Sequence, residues 1–444
     1  MKKNRTGKIM LLLVMITLVT SGMLFAGGGQ EAETETPQKE EPAVENITLT
    51  FAGYFTKENA EANAIAFHES KEKYLKEHPN VTIDEEILAH DSYETKMMAM
   101  AASGEVPDFF QLKATWIENF IDNDLIEPLD DLIKSDSAWK NNFYPGAFAD
   151  FTFNNKIYGI PYQIVTVSNL LYNKGIFEEC GIDAFPSNKE DFENAIKTLR
   201  AKGFIPITAG NKGGWFLDVV VFRGILDRYA DTEWKQSMIN GRGAKLTDPE
   251  FVNALKELKK WGDLNAFNED LNSIDYMQMR NHYFNRKAAM MMDGAGGMKP
   301  ISDSAPEEIL NETVVTVLPP LAGGTPNGNP STAGWSLGYY KHIDAAKKEV
   351  VWDLLKYLSN RAHAKIIVEN NGFPAMNPGE YDQSKLSDLT NKYNAMLNNA
   401  VMTPLINFPP AVLQVLYSGL QEMMIGQISP EELAEKLQTE LESL

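Results

Sequence analysis

Ile47-Thr-Leu-Thr-Phe51, broken at Gly53, is the first strand of the stretch that decides the fold. Its apolar–polar alternation is the period-two signature of a strand. Asn59 to His78 follows with Ala60, Ala64, Phe67 and Tyr74 at helical spacing and stops at Pro79. Strand character resumes at Val81-Thr-Ile83. Asp91, with Glu94 three residues on, predicts a capped helix whose Met97, Met100 and Ala101 share a face and which Gly104 ends. Pro107-Asp-Phe-Phe-Gln111 then reads as a buried strand. Strand, helix, strand, helix, strand predicts an α/β fold built on a parallel sheet flanked by helices.

The same grammar recurs downstream. Ser187 and Glu190 predict a capping box before Phe192, Ile196 and Leu199, with the apolar Phe204-Ile-Pro-Ile-Thr208 after Gly203. Asp248-Pro249 starts a helix carrying Val252, Leu255 and Leu258. Asp344 caps one with Val351, Leu354, Leu355 and Leu358, and Ser429-Pro-Glu-Glu432 caps the last. Pro319 to Gly334 holds four glycines and four prolines between Val314-Val-Thr-Val-Leu318 and Trp335, and a crossing between lobes is expected there. At about 150 residues per domain, 444 residues predict two or three lobes.

Charge removes whole classes of function. Lys and Arg number 41 against 61 Asp and Glu, a net −20. The first 26 residues carry four of the cations and no acid, so the chain after them stands four lower, at −24. Such a body repels phosphate backbones, and no nucleic-acid partner is expected. The one cysteine, Cys180, leaves no internal disulfide framework and no Cys-based zinc site. No two of the six histidines lie within four residues of each other, so there is no His-x-x-x-His ligand pair. Neither a metal nor a cofactor is expected.

The N-terminus reads as an export signal. Lys2, Lys3, Arg5 and Lys8 precede Ile9–Val19, an apolar run interrupted only by Thr17 and shorter than the roughly 20 residues that span a bilayer. Leu24-Phe-Ala26 before Gly27-Gly-Gly29 supplies small residues for cleavage, so residues 1–26 are expected to be a signal peptide. No cysteine follows the apolar run to make a lipoprotein, and a soluble periplasmic or extracellular protein is expected. Residues 27–46, with six glutamates between Gln30 and Glu45, read as a disordered acidic linker.

One catalytic lure is present. Gly334-Trp-Ser-Leu-Gly338 matches the G-x-S-x-G nucleophile elbow, which needs a strand before the serine and a helix after it. A Gly/Pro/Asn loop precedes it and strand-like Tyr339-Tyr340 follows, so a glycine-flanked bend is favoured over a catalytic Ser336. Gly294-Ala-Gly-Gly297 lacks dinucleotide spacing, and no G-x-x-x-x-G-K-[ST] occurs. No catalytic residue is expected.

The informative residues are aromatics in polar, glycine-rich loops. Trp116 follows Gln111-Leu-Lys113, and Tyr162-Gln163 follows Gly159-Ile-Pro161. Trp215 ends Asn211-Lys-Gly-Gly-Trp with Asp218 beyond, and Trp335 ends Thr332-Ala-Gly-Trp. Ligands of open α/β sheets bind outside the carboxyl ends of strands, where three of these clusters fall. A flat ring stacks on the C–H face of a sugar while amides and carboxylates pair its hydroxyls, each of which costs about 1–3 kcal/mol if buried unpaired.

Several segments in order resemble the family 1 extracellular solute-binding proteins of bacterial ABC sugar importers, the maltodextrin-binding class. Tyr93-Glu-Thr-Lys96 with Ala101-Ala-Ser-Gly104-Glu-Val-Pro107-Asp108 is similar to its Y-x-x-K…A-x-G-x-x-P-D segment. Leu125-Ile-Glu-Pro-Leu-Asp130 resembles G-x-L-x-P-L-D, with Asp124 where glycine is usual. Phe284-Asn-Arg-Lys-Ala-Ala-Met290 resembles F-x-x-G-K-A-A-M, with Arg286 at the glycine. Lys156–Tyr162 with Leu171–Lys174, Val317–Pro319 with Gly334–Tyr340, and Gly372–Ala375 are similar to the family's first, second and third crossings.

The resemblance implies the two-lobed periplasmic-binding-protein fold, each lobe a mostly parallel sheet flanked by helices, with three interlobe crossings. Lobe one would be 47–162 and 335–373, and lobe two 163–334 and 374–444. By position, Tyr54, Phe55, Gln111, Lys113, Tyr162, Trp215, Asp293 and Trp335 would line the cleft, joined by Trp116, Gln163, Asn211 and Asp218 from the aromatic clusters. Where the family often has G-x-W after A-A-M, Asp293–Met298 supplies no ring, leaving Gly294 backbone N–H or Met298 as the contact. The implied function is non-enzymatic: a monomer would hold a sugar or short oligosaccharide and deliver it to permease subunits. The rival expectation is a secreted carbohydrate-active enzyme.

Overall fold

The first sheet begins with Ile47–Gly53, paired in parallel with Val81–Ile87 on one side and Phe109–Lys113 on the other. This is the computed structural model of the chain; it describes residues 45–57, 61–144, 146–239, 241 and 243–444. The expected signal peptide and nearly all of the acidic linker, at 1–44, lie outside the described residues, as do Asn59 and Ala60. Strand Trp335–Tyr339 adds antiparallel to Phe109–Lys113, followed by Ile160–Pro161 at the edge. Register sets Trp335 opposite Lys113 and Leu337 opposite Gln111, so the late strand delivers its tryptophan to the carboxyl end of an early one. Phe51 lies against Phe67 of helix Ala62–Glu77 and Phe109 of the next strand, centroids 4.8 and 4.6 Å apart. Full burial of each such ring is worth about 1.5–3 kcal/mol.

The second sheet orders Thr313–Thr316, Asn169–Asn173, Ala288–Asp293 and Ile205–Thr208. Only the last two strands run parallel; Asn169–Asn173 is antiparallel to both its neighbours. This sheet is mixed, less parallel than expected, because Asn169–Asn173 enters from the first core against the direction of the strands beside it. A short third sheet joins Val165–Thr166, Gly328–Thr332 and Val401–Pro404; the first two lie where the chain passes from one core to the other, and the third lies within the second core's segment. One core gathers Leu49 to Tyr162, Ala333 to Tyr339 and Val351 to Met376; the other gathers Leu170 to Leu321 and Leu389 to Leu437.

Helix starts show where local expectation and structure part. Ser429 and Glu432 form the expected capping box. Asn188, not Ser187, caps its helix by accepting from Asp191 N, since an Asx side chain one residue later reaches the free N–H groups. Ala89 holds the cap position expected for Asp91, which lies in the first turn against His90. Asp248 is in place, but its carboxylate accepts from Lys245 N and Trp234 Nε1 instead. Asp344 likewise makes no side-chain cap bond. Ser336 is fully buried within a strand and donates to Leu112 O at 3.1 Å. A Cβ at Gly159 would sit 2.1 Å from its Oγ, so the Gly159 backbone packs directly against the hydroxyl.

Candidate functional site

A cavity of about 220 Å³ lies between the two cores. The first contributes Tyr54 after strand Ile47–Gly53, His90 at the start of helix His90–Ser103, Lys113 at the end of its strand, and Trp335. The second contributes Trp215, Asp218, Arg223, Tyr276, Asp293 and Tyr417. Rings run across it: Trp335 to Tyr54 at 4.8 Å, Tyr54 to His90 at 5.0 Å, His90 to Trp215 at 6.0 Å, and Trp215 to Tyr276 at 5.2 Å. Tyr276 Oη also donates to Glu61 Oε1 at 3.3 Å, so the two sides touch.

Both tryptophans are delivered by left-handed glycines. Gly214 has φ +79°, and a Cβ there would meet Tyr417 Cβ at 2.8 Å; Gly334 has φ +64° and turns the chain into Trp335. An L side chain at either place strains the backbone that aims the indole. Asn211 holds the first turn from behind, accepting from Leu217 N at 3.0 Å and donating to Asn272 at 3.1 Å. Asp150 holds the second: its Oδ2 accepts from Thr332 Oγ1 and Ala333 N, both at 2.7 Å, while Oδ1 faces Asn407 Nδ2 at 3.4 Å.

Charge in the wall is paired. Asp218 sits in a π-helical stretch, Leu217–Phe222, whose wide turn puts Arg223 five residues on against it. Arg223 Nε and Nη2 donate to the two Asp218 oxygens at 2.6 and 3.2 Å, and the guanidinium lies 4.6 Å from the Phe408 ring centre. Arg280 Nε donates to Asp293 Oδ2 at 2.8 Å and lies over Tyr276. Burial works against the Arg280 charge, but Asp293 and Tyr276 outweigh it and its pKa rises. Lys113 pairs with Glu94 at 2.6 Å. Burial, with Tyr162 beside it, pushes the Tyr54 phenol well up, so it stays a neutral hydrogen-bonding group.

Of the residues expected from sequence, Tyr54, Lys113, Gln163, Trp215, Asp218, Asp293, Gly294 and Trp335 line this cavity. The others stand behind or beside it. Gln111 is fully buried, accepting from Tyr54 N at 2.6 Å and donating to Tyr162 Oη at 3.0 Å; with Tyr162 it props Tyr54. Phe55 packs in the first core against Phe67 and Tyr162. Asn211 holds its loop, and Trp116 meets the Trp335 ring edge-on at 5.4 Å. Met298 is fully buried in the second core, so of the two contacts expected after Asp293 only the glycine side faces the cavity.

His90, Arg223, Tyr276, Arg280 and Tyr417 were not expected. Three had a readable signal: Asp275 and Gln278 form a capping box that opens the helix at Tyr276 and puts Arg280 one turn on, and His90 follows strand Val81–Ile87 as the carboxyl-end rule requires. Tyr417 lies mid-helix in Pro410–Met424, where sequence shows only a ring among apolar residues. Among the described residues no cluster of His, Cys, Asp or Glu is placed to hold a metal ion, and no helix is long and apolar enough to cross a membrane.

Comparison with known proteins follows the same architecture. The family model for bacterial extracellular solute-binding proteins matches residues 53–365. The chain is 22% identical over 371 residues to a binding protein of Brucella abortus (strain 2308), covering 82% of this chain and 86% of that one. It is 27% identical over 269 residues to an ABC transporter extracellular-binding protein of Pyrococcus horikoshii, covering 58% of this chain and 57% of the relative. A solved chitin oligosaccharide binding protein superposes with TM-score 0.81 at 22% identity, over 90% of this chain and 98% of that one, and shows the same two-lobed fold.

Proposed function

This chain belongs to the bacterial extracellular solute-binding proteins, and from that premise we propose that it captures a sugar or short oligosaccharide and delivers it to the permease of an ABC importer. Binding, with no chemical step, is the activity. The observation that carries the reading is that Trp335, from the first core, and Trp215, from the second, face one cavity with Tyr54 and His90 between them. Two indoles give a pyranose apolar faces to stack on. Trp215 Nε1 and Tyr417 Oη, which have no hydrogen-bond partner among the described residues, are available to its hydroxyls.

Closure supplies the mechanism. Lobe one, 47–162 with 335–373, and lobe two, 163–334 with 374–444, rock about the connecting segments, and ligand favours the closed state because only there does it touch both. Micromolar affinity needs about −8 kcal/mol. Export by residues 1–26, action as a soluble monomer outside the cytoplasm and docking of the closed form on permease subunits complete the proposal. No comparison supports a secreted enzyme, and Ser336 is walled in by Gly159 and Leu112. Thermal-shift screening of mono- and oligosaccharides, followed by calorimetry and recovery of the sugar, tests this. A stoichiometric complex returning intact sugar is expected; hydrolysis products, or no binding by any sugar, would end the reading.

A further inference from the structure

The extended stretch from Gln163 to Val167 has a cavity on each side. Gln163, Val165 and Val167 line the one between the two cores. Ile164 and Thr166 point the other way, as alternate residues of an extended chain must, and line a second of about 630 Å³. It is bounded as well by 331–333, where the chain returns to the first core, and by 372–374, where Phe373 packs against the second. The remaining walls come from Tyr144 and Asp150, beside the first core, and from helix Asp388–Leu397 of the second. This cavity therefore lies behind the connecting segments, and neither Trp215 nor Trp335 lines it.

Rings and aliphatic side chains make most of its lining. Phe373 and Tyr393 have ring centres 4.5 Å apart, and Ile164, Val368 and Leu397 add aliphatic wall. Tyr144 and Tyr381 stand together: burial first, and then the Tyr381 phenol, push the Tyr144 pKa up. Asp150 is the one charged residue among the described ones that line the cavity. Its Oδ2 accepts from Thr332 and Ala333, but its Oδ1 has only Asn407 Nδ2 at 3.4 Å, and no Lys, Arg or His among the described residues pairs with it.

That charge decides the occupant. An anion would meet Asp150 with no cation to offset the repulsion. A neutral apolar body would strip water from the carboxylate and put nothing in its place, which costs free energy. An ammonium group on an apolar body supplies the missing donor through a charge-assisted bond, and its charge is favoured over the ring faces.

We infer that the cavity behind the connecting segments is a second ligand site, taking an organic cation whose ammonium group meets Asp150 and whose apolar body packs on Phe373, Tyr393 and Leu397. The inference stands whether or not the inner cavity takes a sugar.

Calorimetry at pH 7 with 2-phenylethylamine, 2-phenylethanol and phenylacetate tests it, since the three share a ring and differ in charge. The amine should bind at least tenfold tighter than the alcohol, about 1.4 kcal/mol, and phenylacetate should not bind. Asp150→Asn should bring the amine down to the level of the alcohol. Tyr144→Ala/Tyr381→Ala should weaken both at least tenfold; Tyr144 is 42% exposed and Tyr381 only partly buried, and an unchanged melting temperature confirms the fold. Trp215→Ala, which opens the inner cavity, should leave amine binding as it is. Loss of the amine in Trp215→Ala would place it in the inner cavity and overturn the second site. So would equal affinity for amine and alcohol, binding that survives the double tyrosine variant, or no binding of the amine at all.

Discussion

Replacing Trp215 by alanine removes one wall of the cavity while leaving the other intact. A whole indole presents about 150–250 Å². With roughly a third of it turned to ligand, at about 25 cal/mol per Å², the lost burial is worth ~1.5–2 kcal/mol. The Nε1–H, unpartnered among the described residues, adds about 1 kcal/mol when a sugar hydroxyl accepts from it. Affinity should therefore fall roughly a hundredfold. The fold should survive, because Trp215 is only partly buried at the edge of the second core, against Phe216 and Tyr276. Calorimetry with the best sugar from the thermal screen reads the first effect, and melting of the ligand-free protein reads the second, at about 2–4 °C per kcal/mol. Trp234→Phe is the control: it deletes the Nε1 bond to Asp248 and trims the indole to a phenyl, away from the cavity, and should leave affinity alone. Unchanged affinity in Trp215→Ala would take this ring out of the site and with it the argument from two facing indoles.

Asp150→Ala strips the acceptor from Thr332 and Ala333, costing about 1–3 kcal/mol, and should weaken sugar binding several-fold by loosening the turn into Trp335; equal affinities in calorimetry would show that the turn holds without it. Gly214→Ala places a Cβ 2.8 Å from Tyr417 at φ +79°, and should cost ~1–3 kcal/mol in urea unfolding together with a loss of affinity; a silent substitution would mean that this backbone does not aim Trp215. His363 is buried beside Ser70, and burial lowers its pKa from 6.5 to about 3. Between those values the unfolded chain binds a proton that the folded one refuses, so stability is whole above pH 6.5 and falls toward pH 3 by roughly 1.4 kcal/mol per unit from this group. The difference in pH slope between wild type and His363→Gln, from urea unfolding at pH 6.5, 5.5 and 4.5, measures it, and equal slopes would refute it.

The fold was legible where local signals agree with the chain's long-range partners. The three early strands pair in parallel as the strand–helix alternation predicts, the first two read from their alternating residues and the third as a buried run. The mixed second sheet was not legible, because period-two patterning carries no strand direction; Asn169–Asn173 reads the same whichever way it runs. One cap was legible to within a residue: Ser187 and Asn188 offer equivalent acceptors, and only the backbone path chooses between them, whereas the helix expected to be capped by Asp91 starts two residues earlier, after Ala89. Asp124 and Arg286 are more telling. Each stands where the resembling sequences carry glycine, and each keeps a left-handed φ, 58° and 56°, so the turn survives the residue that usually makes it.

The site was legible in its rings and not in its charges, for a physical reason. A Gly-Trp pair after a strand announces a backbone bent to present an indole, and both Gly214-Trp215 and Gly334-Trp335 do so. A lone carboxylate such as Asp218 or Asp293 announces only polarity. Its role depends on the arginine that meets it, five residues downstream in one case and thirteen upstream in the other. Burying such pairs is not a source of net stability, since desolvation takes back much of the Coulomb gain. What they do is hold oriented polar groups at the wall: Asp218 commits both oxygens to Arg223, whereas Asp293 gives Oδ2 to Arg280 and keeps Oδ1 without a hydrogen-bond partner among the described residues. Asp293 is thus the carboxylate with an acceptor to offer a hydroxyl, and Asp218 the one that fixes Arg223 against Phe408. Two acids that sequence places on equal footing separate into a contact and a support, and only the position of their partners tells them apart.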